Sequence, residues 1–578
     1  MAYSKYYQAE LQNLRELAVS FSKVHPAAAP LLGGPSGDPD VERLLEGVAF
    51  LTGLLRQKLD DELPEIVRGL MDIVFPHYLR PLPSVSMVAF TPKPNLQESI
   101  TVPAGTSLGT NPVGEAICTF RTCYAVEAHP LKLESAERLQ QPGAPDRIRL
   151  RLALTGPSLD QWTLSKLTFS LGGSTAQAMD LYLLLTRYVR KISIVPAEGG
   201  RPCVLPPSAL APAGFDRENN LLPFPTQSFS GYRWLQEYFA LPQKFLFLNL
   251  TGWEQWQDRG KGQRFDIVFE MLSAPIGLPR VSAGQFLLFT TPVINLFDHE
   301  SDPISLDHRQ PRVRVRPSMN QDEDMQVYSV DRVTGFTEGS VEKRTYAPLS
   351  YFSRDADEGT FYQVARGISP VHNRPETFLI FTYPAQGAAP SKEVLTIRLT
   401  CTNGSLPERL QLGDICCQTS DSPELLTFRN IIPPTAQVDP PLGGNGLWRL
   451  LSHLSLNLLS LMDLEGLKEL LRLYLFPEGR DKVKITANLK RVEGISDVTT
   501  RAADRLIHGV MVRGQEITMT VRKDNFASLG DLFLFGSVMD AFFSEYSSMN
   551  AFTQLRIKET ISGETYSWPE RIGDRRLI

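Results

Sequence analysis

Arg147-Ile148-Arg149-Leu150-Arg151-Leu152-Ala153-Leu154 sets a hydrocarbon side chain at every second residue and arginine between the first of them. Successive side chains of a strand point to opposite faces. This spelling therefore puts Ile148, Leu150, Leu152 and Leu154 on a buried face, and Arg147, Arg149 and Arg151 on a wet one. Leu395, Ile397, Leu399 and Cys401 repeat the pattern. Short runs of this kind, separated by turn residues, fill much of the stretch from Ser84 to Asn430 and predict antiparallel sheets there. The 41 glycines and 43 prolines sit between short apolar runs, as a turn-rich β architecture requires.

Towards the N-terminus the period becomes helical. Tyr7, Leu11, Leu14, Ala18 and Phe21 recur at steps of four, three, four and three, a narrow heptad-like seam on a helix from about Ser4 to Val24. His25-Pro26 ends it, because the residue before proline disfavours the α region. Asp38-Pro39 opens a second helix with an N-cap acid and a proline at the first helical position. Pro64 opens a third, carrying Ile66, Val67, Leu70, Met71 and Val74. The acidic run Asp60-Asp61-Glu62 before it reads as charge favouring a helix N-terminus.

The Pro- and Ala-rich stretch from Gly200 to Thr226 reads as a long loop, and Pro433 to Gly446 as a linker and hinge candidate. Leu447 to Leu461 then predicts an apolar helix. A second helix, capped by Asp463 or Ser460, bears Leu464, Leu467, Leu470, Leu471 and Tyr474. Strands are expected at Val483 to Ala487 and Glu516 to Val521, a helix from Leu529 to Tyr546, and a closing strand at Leu555 and Ile557. The expected class is multidomain α+β with a β-rich centre, divided at 1–83 (helical), 84–226 and 227–432 (β-rich), 433–446 (linker) and 447–578 (a helical pair, then a small α+β domain).

Composition excludes several functions. Over 578 residues the net charge is −5, with no basic domain of the kind phosphate neutralisation demands. Arg312, Arg314 and Arg316 alternate with Val313 and Val315 and read as one polar strand face. The N-terminal stretch has no apolar signal-peptide core, and the longest uncharged stretch, Val281 to Phe297, is short and polar for a membrane span. The six cysteines lack paired CxxC spacing and read as apolar fillers in a reducing compartment. Adjacent Cys416 and Cys417 are expected to point apart on a strand and to chelate poorly.

Catalytic motifs fail one by one. Gly260-Lys261 lacks the first glycine and the Ser or Thr of a phosphate-binding loop. Gly444-Asn445-Gly446 lacks the third glycine of a dinucleotide fingerprint, and no GxSxG or HExxH occurs. Asp298, Glu300 and Asp302 read as a solvated acidic turn, and His77 as a structural histidine bonded to backbone. No catalytic, cofactor-binding or metal-ligating residue is assigned, and no cofactor is expected. Two carboxylates on distant strands leave no local pattern. A β-rich hydrolase therefore stays open as an alternative, as does a tail-fibre-like adhesin.

Seven segments in order resemble the TssF family of type VI secretion baseplate subunits. They are Tyr6-Tyr7-Gln8-Ala9-Glu10-Leu11 with Leu14-Arg15, Phe21 and His25-Pro26; Asp38 to Gly47; Lys58-Leu59-Asp60-Asp61-Glu62-Leu63-Pro64; Pro76-His77-Tyr78-Leu79-Arg80-Pro81; Leu235 to Phe239 with Pro242, Lys244-Phe245 and Phe247; Thr291 to Phe297; and Trp448 to Asn457. The resemblance implies a fold like that of the phage baseplate wedge protein and a non-enzymatic, cytoplasmic role, docked at the inner-membrane complex of a Gram-negative bacterium. It implies partners: TssG, TssK, TssE, the VgrG hub and a second copy of the chain, with no nucleic acid and no direct membrane insertion. It also favours Tyr7, Leu11, Leu14, Ala18 and Phe21 as a seam packing in a bundle with helices of other chains, over packing within this one.

Overall fold

The computed structural model describes residues 7, 11, 14, 40, 43–52, 71–72, 75–216, 218–224, 228–308, 310–318, 325–337, 343–349, 361–369, 374–382, 392–442, 463–475, 481–507 and 509–573. Contacts gather them into two compact units, residues 1–74 with 441–452, and residues 75–440 with 453–578. In the first unit, residues 7, 11, 14, 40, 43–52 and 71–72 are helical.

The second unit is β-rich with antiparallel sheets, as expected. Strand Arg147–Leu154 buries Ile148, Leu150, Leu152 and Leu154 and pairs antiparallel with Arg264–Met271, setting Leu150 opposite Ile267 and Leu152 opposite Phe265. On the other face the arginines meet acids. Arg151 pairs Asp266 at 3.0 Å across the ladder, and Arg149 pairs Glu137 at 2.9 Å. Arg314, from the second arginine cluster, pairs Glu376 at 2.6 Å. Cross-strand ion pairs of this kind add a few tenths of a kcal/mol each.

Sheet partners come from far apart in the chain. The six-stranded sheet runs Ile415–Cys417, Ser107–Thr110, Thr119–Thr122, Thr290–Ile294, Val85–Pro92, Leu426–Asn430. Strands on both sides of residue 226 also share the five-stranded sheet around Arg264–Met271 and the four-stranded sheet around Phe247–Leu250. The core beneath the six-stranded sheet likewise joins Val85 and Met87 to Leu221, Phe247, Ile294 and Tyr328. A further eight-stranded sheet centred on Glu393–Thr402 buries Leu395, Ile397, Leu399 and Cys401 with Val333, Tyr346 and Leu379.

The stretch expected as a long loop from Gly200 contains strands Cys203–Leu205 and Leu210–Pro212, each an edge added to an existing sheet. Proline is tolerated there because an edge strand leaves one side of its ladder unpaired. The proposed linker is stitched down over its first half. Thr435 and Val438 hydrogen-bond to Val85 and Leu82, and Gln437 accepts from Thr402 at 2.7 Å. The helix expected at Leu447 to Leu461 and the acidic run 60–62 lie outside the described residues.

Five described helices of this unit frame its buried polar groups: α1 (Thr175–Arg187), α2 (Gly231–Ala240), α3 (Leu464–Leu473), α4 (Lys482–Glu493) and α5 (Leu529–Ser544). Asp463 caps α3 by accepting from the Gly466 amide. The strand expected at Val483 to Ala487 is instead part of α4. Asp481 caps it through the Lys484 amide, and the β-branched residues that suggested a strand lie on exposed or half-buried positions. Strand Val510–Val521 then pairs in parallel with Ala551–Glu559. Parallel neighbours need a crossover, and α5 is that crossover.

Every residue of α5 from Gly530 to Phe543 is buried, so it is covered on all sides: by α1, α2 and the strand Ala551–Glu559. Gly530 sits where α1 crosses. A Cβ there would stand 2.2 Å from the Met179 carbonyl carbon and 2.3 Å from the Asp180 nitrogen, backbone atoms that have nowhere to go. Gly530→Ala is therefore expected to lower stability by about 3 kcal/mol. Gly284→Ala, where a Cβ meets open space, should change it by less than about 0.5 kcal/mol. Urea midpoints of the two variants check this, and equal midpoints would contradict the crossing.

Candidate functional site

The turn Pro76-His77-Tyr78-Leu79-Arg80-Pro81 feeds the first strand, and His77 is buried within it. A buried imidazole must satisfy both nitrogens. Nδ1 lies 3.1 Å from the Ser228 hydroxyl and Nε2 lies 3.2 Å from the Tyr474 hydroxyl. The partners are side chains, not the backbone expected from sequence. One nitrogen donates and the other accepts, which suits the neutral ring. Burial, with the nearby Arg80 charge, pushes its pKa down to about 3. Phe75, Phe224, Tyr232 and Tyr474 pack round the ring, and Tyr232 stacks on Tyr474 at 5.7 Å. Tyr232 also meets the Tyr546 hydroxyl at 3.3 Å just beyond α5, and Ser230 donates to Glu545 at 2.6 Å.

One helical turn further along α2, Glu237 is fully buried. It stands in the run Trp234-Leu235-Gln236-Glu237-Tyr238-Phe239, and a charge in such a run needs a partner. Lys244, from the 3-10 turn Pro242–Phe245, donates to one carboxylate oxygen. The other accepts from the amides of Leu221 at 2.9 Å and Leu222 at 3.2 Å. Lys244 is equally buried, between the rings of Trp234 and Phe245. Burial lowers its pKa and the Glu237 carboxylate opposes that. The pair fixes the strand that comes next, Phe247–Leu250, against the loop at 221–222.

Three more buried polar side chains hold distant segments together. Asp531, fully buried in the first turn of α5, accepts from Arg491 of α4 at 2.9 Å and from the Ala527 amide at 3.0 Å. Asp540 near the other end meets Arg571 at 2.5 Å, although burial still raises its pKa to about 6. Asn295 donates to Thr119 at 2.8 Å and to the Asn403 side chain at 2.7 Å, and accepts from the Asn403 amide. Sequence-distant segments are thus locked by buried polar groups. The arrangement holds the acid of each pair away from water, beside its cation, which is the chemistry of a joint.

Of the seam residues, Tyr7, Leu11 and Leu14 are helical and half-buried, whereas Ala18 and Phe21 lie outside the described residues. Asp298 and Glu300 stand in strand Phe297–Glu300 rather than in a turn, because this segment adds to the edge of Glu393–Thr402. Among the described residues no three His, Cys, Asp or Glu side chains gather as a metal ion would need. None of the described helices is long and apolar enough to cross a membrane. No sequence signal marks the joint residues Ser228, Arg491 and Asp531, and Tyr474 is placed from sequence only on the apolar stripe of a helix. Glu237 and Lys244, charges set among apolar neighbours, carry the signal that would have found the ion pair.

The family model for the type VI secretion system protein TssF matches residues 2–575. TssF1, a type VI secretion system component of Pseudomonas aeruginosa, is 32% identical over 625 aligned residues, covering 99% of this chain and 98% of that protein. A chain in the cryo-electron microscopy structure of a TssK-TssF-TssG baseplate subcomplex is 32% identical with a TM-score of 0.78, over 93% of this chain and 99% of that one. A chain in a structure of the type VI secretion baseplate complex is 26% identical with a TM-score of 0.63, over the whole of both.

The His77 environment sets a pH dependence. Its folded pKa lies below the ordinary 6.5, so the unfolded chain binds the proton first and stability falls as pH drops from about 6.5 towards 3. His77→Gln removes that titration. The wild type should lose stability more steeply than His77→Gln in this window, by up to about 1.4 kcal/mol per pH unit. Denaturation curves at several pH values check it, and parallel slopes would contradict it.

Proposed function

The chain belongs to the TssF family of the type VI secretion system, and from that membership we propose that it is a structural wedge component of the baseplate of this contractile injection machine. The observation that carries the reading is the end-to-end likeness to a chain of the TssK-TssF-TssG subcomplex. TssG and TssK are accordingly the first partners. TssE, the VgrG hub and a second copy of the chain complete the proposed set, with sheath assembly starting from this platform. The protein works in the cytoplasm, docked at the inner-membrane complex.

Its role is mechanical rather than catalytic. The titratable groups His77, Glu237, Lys244 and Asp531 are buried and each has a hydrogen-bond partner, and the half-buried Arg491 pairs with Asp531. A joint of this kind transmits load without turning over a substrate. The hydrolase and adhesin alternatives draw no support from it. A hinge within Pro433 to Gly446 is part of the same proposal, and Thr435, Gln437 and Val438 of that stretch are bonded to the sheet unit.

The N-terminal seam is the proposed contact with TssG. Tyr7, Leu11 and Leu14 keep part of their surface exposed in the single chain, which leaves area for helices of another subunit. Replacing Leu11 and Leu14 with Glu is expected to leave the thermal unfolding of the isolated chain unchanged and to abolish co-elution with TssG. Global unfolding of the variant, or undiminished co-elution, would overturn the assignment.

A further inference from the structure

Adjacent residues of a regular strand face opposite ways, and Cys416-Cys417 should do so. They do not. Strand Ile415–Cys417 lies at the edge of the six-stranded sheet and pairs with Ser107–Thr110. Ile415 stands opposite Thr110 while Cys417 stands opposite Gly109, so one extra residue, Cys416, is inserted on this strand. Such a bulge breaks the two-residue alternation. Gly109 makes the room: a Cβ there would lie 3.1 Å from the Cys417 carbonyl oxygen and 3.3 Å from its Cβ.

The result is that both sulfurs reach one acceptor. Cys416 Sγ lies 3.5 Å and Cys417 Sγ 3.7 Å from Asn111 Oδ1. Asn111 is itself held, donating through Nδ2 to Asp414 at 2.9 Å, so its oxygen is the atom turned to the thiols. Neither cysteine is in a disulfide; Cys416 is exposed and Cys417 half-buried. Burial and the neighbouring thiol raise the pKa of Cys416. This slows single-thiol chemistry, which runs through the thiolate.

We propose that Cys416 and Cys417 form a vicinal dithiol site that takes a soft, thiophilic metal or metalloid centre across both sulfurs. Thiolate ligands select soft acceptors. A site with two protein ligands does not meet the four-ligand demand of structural zinc, and among the described residues no third ligand of the required type joins the pair. An acceptor content with two thiolates fits, and trivalent arsenic is the simplest probe. With phenylarsine oxide, two arsenic–sulfur bonds form and the arsenic–oxygen bond breaks. Both thiol protons leave with that oxygen as water, and arsenic stays trivalent. Once the first thiol has reacted the second attack is intramolecular, so the adduct survives competition that strips a single-thiol adduct.

The test uses the purified full-length chain, reduced and treated with phenylarsine oxide, then washed with 2-mercaptoethanol. Intact mass should show one retained arsenical per chain, released by 2,3-dimercaptopropanol. Tryptic mapping should place it on the peptide 410–429. Cys416→Ser and Cys417→Ser should each lose the retained adduct with unchanged thermal unfolding. The exposed position of Cys416 makes its replacement the safer of the two for the fold, and mapping of the wild type stands independently of either variant. Retention in both serine variants, mapping to another cysteine, or release from the wild type by 2-mercaptoethanol would each overturn the proposal.

Discussion

A helix apolar on every side can exist in water only if something covers every side, and α5 imposes that demand on the sheet unit. Leu532, Leu534, Phe535, Val538, Met539, Phe542 and Phe543 have no exposed surface at all. One face lies on the C-terminal sheet, because α5 connects two parallel strands of that sheet. The other faces are covered by α1 and α2, helices more than 280 residues earlier in the chain. Burial at roughly 25 cal/mol per Å² makes this the dominant favourable term. The buried acids at its two ends, Asp531 and Asp540, then constrain geometry. Each is tolerated only while Arg491 and Arg571 stay in reach.

The same logic extends outward to the joint. Glu237 with Lys244 and His77 with Ser228 and Tyr474 add specificity more than net stability, since a buried polar pair roughly balances its desolvation. Breaking one partner leaves the other stranded. Segments quoted for the family likeness, around His77, Glu237 to Lys244 and Asn295, are the segments whose buried polar groups meet others distant in sequence. A structural subunit that has to keep its shape gains from such a joint, because its alternatives are discrete and costly.

Much of the local structure was legible. The alternation at Arg147 to Leu154 and Leu395 to Cys401, the Asp463 cap and the span of α5 all follow from period and propensity. The helical character of Tyr7, Leu11 and Leu14 was readable in the same way. What failed did so for identifiable reasons. Val483 and Ile485 suggested a strand in a short window, and the Asp481 cap outweighed them. Leu210–Pro212 was hidden by its own proline, which an edge position tolerates, and by Pro206 and Pro207 before it. The bulge at Cys416 depends on Gly109 across the sheet. The partners of His77 lie 151 and 397 residues away, and no local pattern encodes a pairing at that distance.

α5 welds the C-terminal sheet to α1 and α2 in one cooperative body. Native-state hydrogen exchange under rising denaturant tests it directly, because it resolves which elements open together. The account predicts that amides of α1, α2 and α5 exchange through a single shared opening, the highest in free energy along the chain. If α5 and the strand Ala551–Glu559 instead open as their own unit, well before α1 and α2, the weld does not exist.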